Sequence, residues 1–129
     1  MKKSRQARTC PCGSGLPYAQ CCGRFHAGEP APDARSLMAS RYSAYALGLE
    51  PYVLQTWAEE TRPGELSLAE DAVTWLGLEI LGYRPDGDRA EVEFVARGRQ
   101  GGGRAFRMHE RSRFEKRAGR WVYVDGDAL

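Results

Sequence analysis

The sequence predicts an α+β fold in which helices come first and an antiparallel sheet follows, behind a short cysteine-bearing segment. Three observations predict it. Apolar residues recur at helical spacing from Ala34 to about Ala58. From Trp75 onward the period changes to two, and turn-forming residues punctuate the pattern. All four cysteines fall between Cys10 and Cys22. Helices followed by a run of strands give α+β rather than an alternating α/β sheet. The 129 residues leave room for one compact domain and an appendage, divided here as 1–28 and 29–129.

The cysteine segment reads Cys10-Pro11-Cys12-Gly13-Ser14-Gly15-Leu16-Pro17-Tyr18-Ala19-Gln20-Cys21-Cys22-Gly23. It has too few apolar side chains to bury a core of its own, so a cross-link must hold it. Four soft sulfur donors suit a closed tetrahedral zinc site, with Cys10, Cys12, Cys21 and Cys22 as ligands. Gly13 and Gly15 let the backbone turn tightly after Cys12, because glycine tolerates positive φ. Lys2, Lys3, Arg5, Arg8 and Arg24 are cations that would favour a thiolate cluster. His26, four residues past Cys22, is an alternative fourth ligand. Disulfides are the competing reading and need an oxidising compartment. No apolar secretory stretch follows Lys2 and Lys3, so zinc and a cytoplasmic setting are expected.

After this segment, residues 24–34 read as an extended linker, with Pro30 and Pro32 against helix. Asp33 is an N-cap for a helix from Ala34 to Leu49. Leu37, Arg41, Ala44, Tyr45 and Gly48 share one face, and Gly48 ends the helix. Arg41 is out of place on an apolar stripe, and a buried arginine needs a partner. A second helix is expected from Pro51 to Ala58, with Pro51 at its first position. Ser67 and Glu70 suggest one more helical turn over 67–72. Strands are expected over 75–83, 89–100, 104–116 and 120–125, joined by turns at 86–88, 101–103 and 118–119. Alternation on the third strand puts Phe106, Met108, Glu110, Ser112 and Phe114 inward. Arg107, His109, Arg111, Arg113 and Glu115 face the other way.

Cys10-Pro11-Cys12-Gly13-Ser14-Gly15, Tyr18 and Cys21-Cys22-Gly23 resemble the SEC-C motif, the small zinc module also found in SecA. Further segments resemble the YchJ family of bacterial proteins. They are Leu37 to Tyr45, Tyr52 to Trp57, Trp75 to Ile80, Val92 to Ala96, His109 to Phe114 and Gly119 to Gly126. Ala39 departs from that pattern, where a basic residue is expected. The resemblance implies a SEC-C knuckle on a nuclear transport factor 2-like (cystatin-like) cone, its helices packed on a curved four-stranded antiparallel sheet. It implies zinc and assigns no reaction.

Function is read from three places. The first is the zinc knuckle as a binding or adaptor module for a protein or ribonucleoprotein partner; in SecA the similar module engages a chaperone. The second is a pocket in the cone around Arg41, Tyr45, Trp57, Trp75, Glu110 and Ser112, with Tyr42 and Trp121 nearby, holding a small molecule or serving an enzyme. Arg41 and Glu110 are expected to form a buried ion pair there. The third is nucleic-acid binding by the arginine-rich sheet face, with a solvated face as the plainer reading. The net charge is only +2, yet residues 89–120 hold ten basic and four acidic side chains. Neighbours on one strand, such as His109 and Glu110, point to opposite faces and cannot share a proton. No nucleophile–base set or phosphate loop is present, and no apolar run reaches the roughly 20 residues of a membrane span.

Overall fold

The computed structural model describes residues 8–68 and 72–129. Among the described residues, three α-helices, α1 (Cys22–His26), α2 (Ala34–Leu47) and α3 (Glu50–Gln55), precede four strands. These are β1 (Val73–Asp86), β2 (Arg89–Gln100), β3 (Ala105–Arg117) and β4 (Arg120–Ala128). The sheet is an antiparallel meander in the order β1-β2-β3-β4, and the α+β expectation holds.

Helix α2 starts as the sequence indicates. The Asp33 carboxylate accepts the Ser36 N–H at 2.7 Å, satisfying one of the orphan donors of the first turn. The helix stops at Gly48, whose φ of 74° is left-handed. Its buried face carries Ala34, Leu37, Met38 and Tyr42 onto Ala90, Val92, Phe94 and Ala96 of β2, Phe114 of β3 and Trp121 of β4. Register places Glu110 opposite Phe94, Ser112 opposite Val92 and Phe114 opposite Ala90. These residues therefore share the inward face, as alternation predicts. Register shifts at Trp75/Gly77 and Ile80/Gly82 in β1, and at Arg113/Phe114 in β3, are bulges that let the sheet bend around the helix.

Four expectations are corrected or fall outside the description. The stretch 24–34 is not all extended, because Arg24 to His26 belong to α1 and Phe25 is buried. Helix α3 begins one residue early and ends at Gln55. There the Thr56 hydroxyl donates back to the Tyr52 carbonyl at 2.7 Å, and the chain turns toward the sheet. Ala58 N–H donates to the Tyr123 carbonyl and Tyr123 N–H to the Thr56 carbonyl, so Trp57 forms a parallel bridge beside β4. Strands β1 and β4 extend past their expected limits. The turn expected over 67–72 lies largely outside the described residues.

Candidate metal centre and cone cavity

The knuckle is a tight loop followed by two short helical pieces. Thr9 bridges Pro17, and Cys10 N–H donates to the Leu16 carbonyl at 2.9 Å. Gly13 and Gly15 both take φ of 86°, a conformation that would strain any side chain-bearing residue. A 3₁₀ turn over Tyr18–Gln20 then delivers Cys21 and Cys22 at the start of α1. The four sulfurs lie within 4.8 Å of one another, with Cys12 and Cys21 at 3.6 Å. A tetrahedral zinc with bonds of about 2.3 Å sets its sulfurs about 3.8 Å apart, so only a small contraction is needed. None of the four is in a disulfide. The donor set therefore fits an ion that takes four soft ligands.

Neighbouring hydroxyls point at this cluster. Ser14 Oγ accepts the Leu16 N–H at 3.1 Å, leaving its own hydrogen for Cys21 Sγ at 3.2 Å. Ser43 Oγ, from α2, lies 3.5 Å from Cys10 Sγ. The Cys22 thiol and then Ser14 hydrogen-bond to Cys12 and draw its pKa down. The hydrogen bond to Cys12, followed by burial, pushes Cys22 up, and burial raises Cys21. Four such sulfurs ionise together only around a cation. Arg24 and Arg35 line the recess beside the cluster, together with Ala39. Lys2, Lys3 and Arg5 lie outside the described residues.

His26 is engaged elsewhere and is not a fourth ligand. Its Nε2 lies 2.8 Å from the Ser40 carbonyl, which can only accept, so Nε2 carries the proton. Nδ1 then accepts from the Tyr18 hydroxyl at 2.6 Å. Burial lowers the pKa of this ring and favours its neutral form. The Tyr52 ring meets His26 edge-on at 4.6 Å. Tyr18, His26 and Ser43 thus dock the knuckle onto α2.

On the opposite side of α2 a cavity of about 210 Å³ opens between helix and sheet. Of the sequence-designated pocket residues, Arg41, Tyr45, Trp75, Glu110 and Ser112 line it, as does Tyr42. Met38, Phe94, Ala96, Met108 and Tyr123 complete the wall. The expected Arg41–Glu110 ion pair does not form. Arg41 Nη1 donates to the Val53 carbonyl and to Thr56 Oγ1, each at 2.8 Å. Its guanidinium lies 5.0 Å from the Trp57 ring centre and 4.7 Å from that of Tyr123. Acceptors on α3 and two aromatic faces thus take the place of the carboxylate. Burial pulls the Arg41 pKa down, and the charges of Tyr45, Tyr123, Tyr52 and Glu110 oppose that. Glu110 Oε2 accepts from Ser112 Oγ at 2.7 Å and from the Tyr123 hydroxyl at 3.1 Å. A Cβ at Gly126 would overlap this carboxylate. Trp57 stands behind Arg41 rather than on the wall, and Trp121 packs in the core.

Residues 9–24 match the SEC-C motif. Residues 33–126 match the description "YchJ, middle NTF2-like domain", most of the chain. The chain belongs to the YchJ family. Its relatives include a UPF0225 protein of Bordetella pertussis, 54% identical over 98% of both chains. One from Chromobacterium violaceum is 55% identical over 98% of both. A solution structure of a SEC-C motif containing protein from Rhodopseudomonas palustris is similar, with a TM-score of 0.83 and 39% identity over 93% of this chain and 98% of that one. A crystal structure of a SEC-C motif containing protein from Psychrobacter arcticus gives 0.78 and 27%, over 94% and 82%. The YchJ relatives and the SEC-C structures thus span knuckle and cone together.

On the outer sheet face of this YchJ chain, several basic side chains pair with carboxylates. His109 Nε2 lies 2.8 Å from Glu93, and Arg111 reaches the same Glu93 at 3.8 Å. Arg113 pairs with Asp125 and Asp127, and Arg97 with Glu79. Among the described residues, no helix is long and apolar enough to cross a membrane. Sequence reasoning missed Tyr123, Met38 and Ser43 as site residues. Tyr123 was within reach, since it lies two residues past Trp121 on a strand of period two.

Proposed function

We propose that this YchJ-family protein binds a small molecule in its cone, and that its knuckle is a zinc-held brace on the helix that walls that cone. One observation carries the reading: an apolar cavity of about 210 Å³ whose polar side chains, among the described residues, are Arg41, Glu110, Ser112 and the tyrosines. Ligand sites combine apolar walls with a few convergent polar groups in this way. Four thiol donors at near-tetrahedral spacing support zinc as the knuckle's ion. Unpaired thiols suit a reducing compartment such as the cytoplasm.

The test is a thermal-shift screen of ring-sized compounds on the wild type and on Ala96→Leu, which fills the cavity. Compounds should stabilise the wild type and lose that effect on the variant. A screen without stabilisers, or stabilisers indifferent to Ala96→Leu, sinks the reading. Elemental analysis should find one zinc per chain.

A second reading, a protein or ribonucleoprotein partner at the knuckle, is favoured by Leu16, which is 49% exposed on the outer loop. Capture of the same partners by Leu16→Ser and Cys21→Ser would reject it. Nucleic-acid binding has less support, since Arg97, Arg111 and Arg113 of that face already pair with carboxylates.

A further inference from the structure

Arg41 is 4% exposed, and no carboxylate lies within ion-pair distance of it among the described residues. Only Nη1 has acceptors, on Val53 and Thr56. Nε and Nη2 have none among the described residues, although Arg41 lines the cavity. Glu110, on the same wall, receives both of its hydrogen bonds on Oε2, leaving Oε1 without a donor among those residues. Two residues of the cavity wall thus carry N–H groups and a carboxylate oxygen without partners among the described residues. Their formal charges cancel.

This balance selects the ligand's head group. An anionic head drawn to Arg41 would also face Glu110, and would leave water for an apolar cavity. A cationic head meets the mirror-image penalty from Arg41. A neutral head carrying an acceptor beside a donor satisfies both groups at no charge cost, and a primary carboxamide is the simplest such group. The volume sets the body. A dry cavity of about 150 Å³ holds benzene, so 210 Å³ holds one substituted ring. Tyr42, Tyr45 and Trp75 supply aromatic walls for it. We infer that the cone takes a compact, neutral, single-ring-sized molecule with a carboxamide-like head bridging Arg41 and Glu110; this rests on the ligand-binding reading above.

The test is an NMR titration of the full-length, metal-containing protein with four probes sharing one ring: benzamide, benzoate, benzylamine and toluene. Benzamide should shift amides around Glu110, Ser112 and Tyr123, and bind about tenfold tighter than the other three, a difference near 1.4 kcal/mol. Benzoate, benzylamine or toluene binding as tightly as benzamide overturns the neutral-head inference while leaving the cone as a ligand site. No cone shift with any probe overturns the ligand-binding reading itself. Glu110→Gln keeps the shape and removes the charge, so benzoate should then bind about tenfold tighter than to the wild type. Unchanged benzoate binding in that variant rejects the role given to Glu110. If the variant does not fold, the four-probe comparison on the wild type decides alone.

Discussion

The knuckle and the cone are held together by different physics. The knuckle has Cys10, Cys22 and Phe25 as its buried apolar residues, and its shape depends on four sulfurs meeting at one point. The cone, among the described residues, has ten buried residues in one cluster, and that apolar packing accounts for its shape. The comparison teaches that a short segment can be ordered without a core if a larger partner supplies a surface. Here α2 is that surface, through Ser40 and Ser43.

The largest expected effect breaks the cone and leaves the metal chemistry intact. Phe114→Ala removes a ring that is 1% exposed and should cost about 3–5 kcal/mol, read as a lower denaturation midpoint. A variant still within about 1 kcal/mol of the wild type would mean that the cluster is not the source of stability. Chelation makes the converse cut. A strong chelator should raise amide exchange at residues 10–26 while β2 and β3 stay protected. Equal exchange in both regions would show that they fold as one unit.

Gly126→Ala is the next step down. Its methyl would collide with the Glu110 carboxylate, and overpacking of this kind costs about 1–3 kcal/mol. The displaced carboxylate should also release the Tyr123 hydroxyl, whose pKa burial and Glu110 hold up; ultraviolet titration would then find Tyr123 ionising at lower pH. An unchanged titration would mean that the carboxylate stays in place.

Ser43→Ala sharpens the comparison, because Ser43 belongs to the cone and hydrogen-bonds a knuckle sulfur. Loss of such an outer partner weakens metal binding by about tenfold or more, measurable by competition with a chromophoric chelator. Equal affinity would show that the knuckle binds its ion without help from α2.

The smallest effect is that of pH on docking. Burial depresses the His26 pKa, so the unfolded chain takes up this proton first as pH falls. Stability from His26 is complete above the unfolded value of about 6.5 and declines as pH drops through it toward the folded value. NMR titration of the ring should place its midpoint below about 6.5. A midpoint above that reverses the sign.

Much of this was legible in the sequence. Strict alternation on β3 gave the inward face correctly, and the cysteine spacing marked the four-sulfur cluster that could hold an ion. What escaped depended on three-dimensional accidents of partner choice. Arg41 on an apolar stripe announced its own burial. Its partners are a carbonyl on α3 and a hydroxyl just past the end of that helix, and such acceptors carry no signal in a linear pattern. His26 looked like a ligand by spacing, yet the Ser40 carbonyl lies close enough to claim Nε2. Helix α1 was hidden because prolines downstream made the whole stretch read as extended. Trp57 left its helix because the edge of β4 offered the backbone a better set of partners.

Ser40 and Ser43 point one way from α2, while Met38, Tyr42 and Tyr45 lie roughly half a turn around and border the cavity. A guest that stiffens this helix from one flank must change the affinity of whatever sits on the other, and thermodynamic linkage makes the factor equal in both directions. If the cone holds the guest proposed above and α2 carries such a coupling, metal-depleted protein would bind that guest more weakly, although the guest would lie on the side of the helix away from the four cysteines.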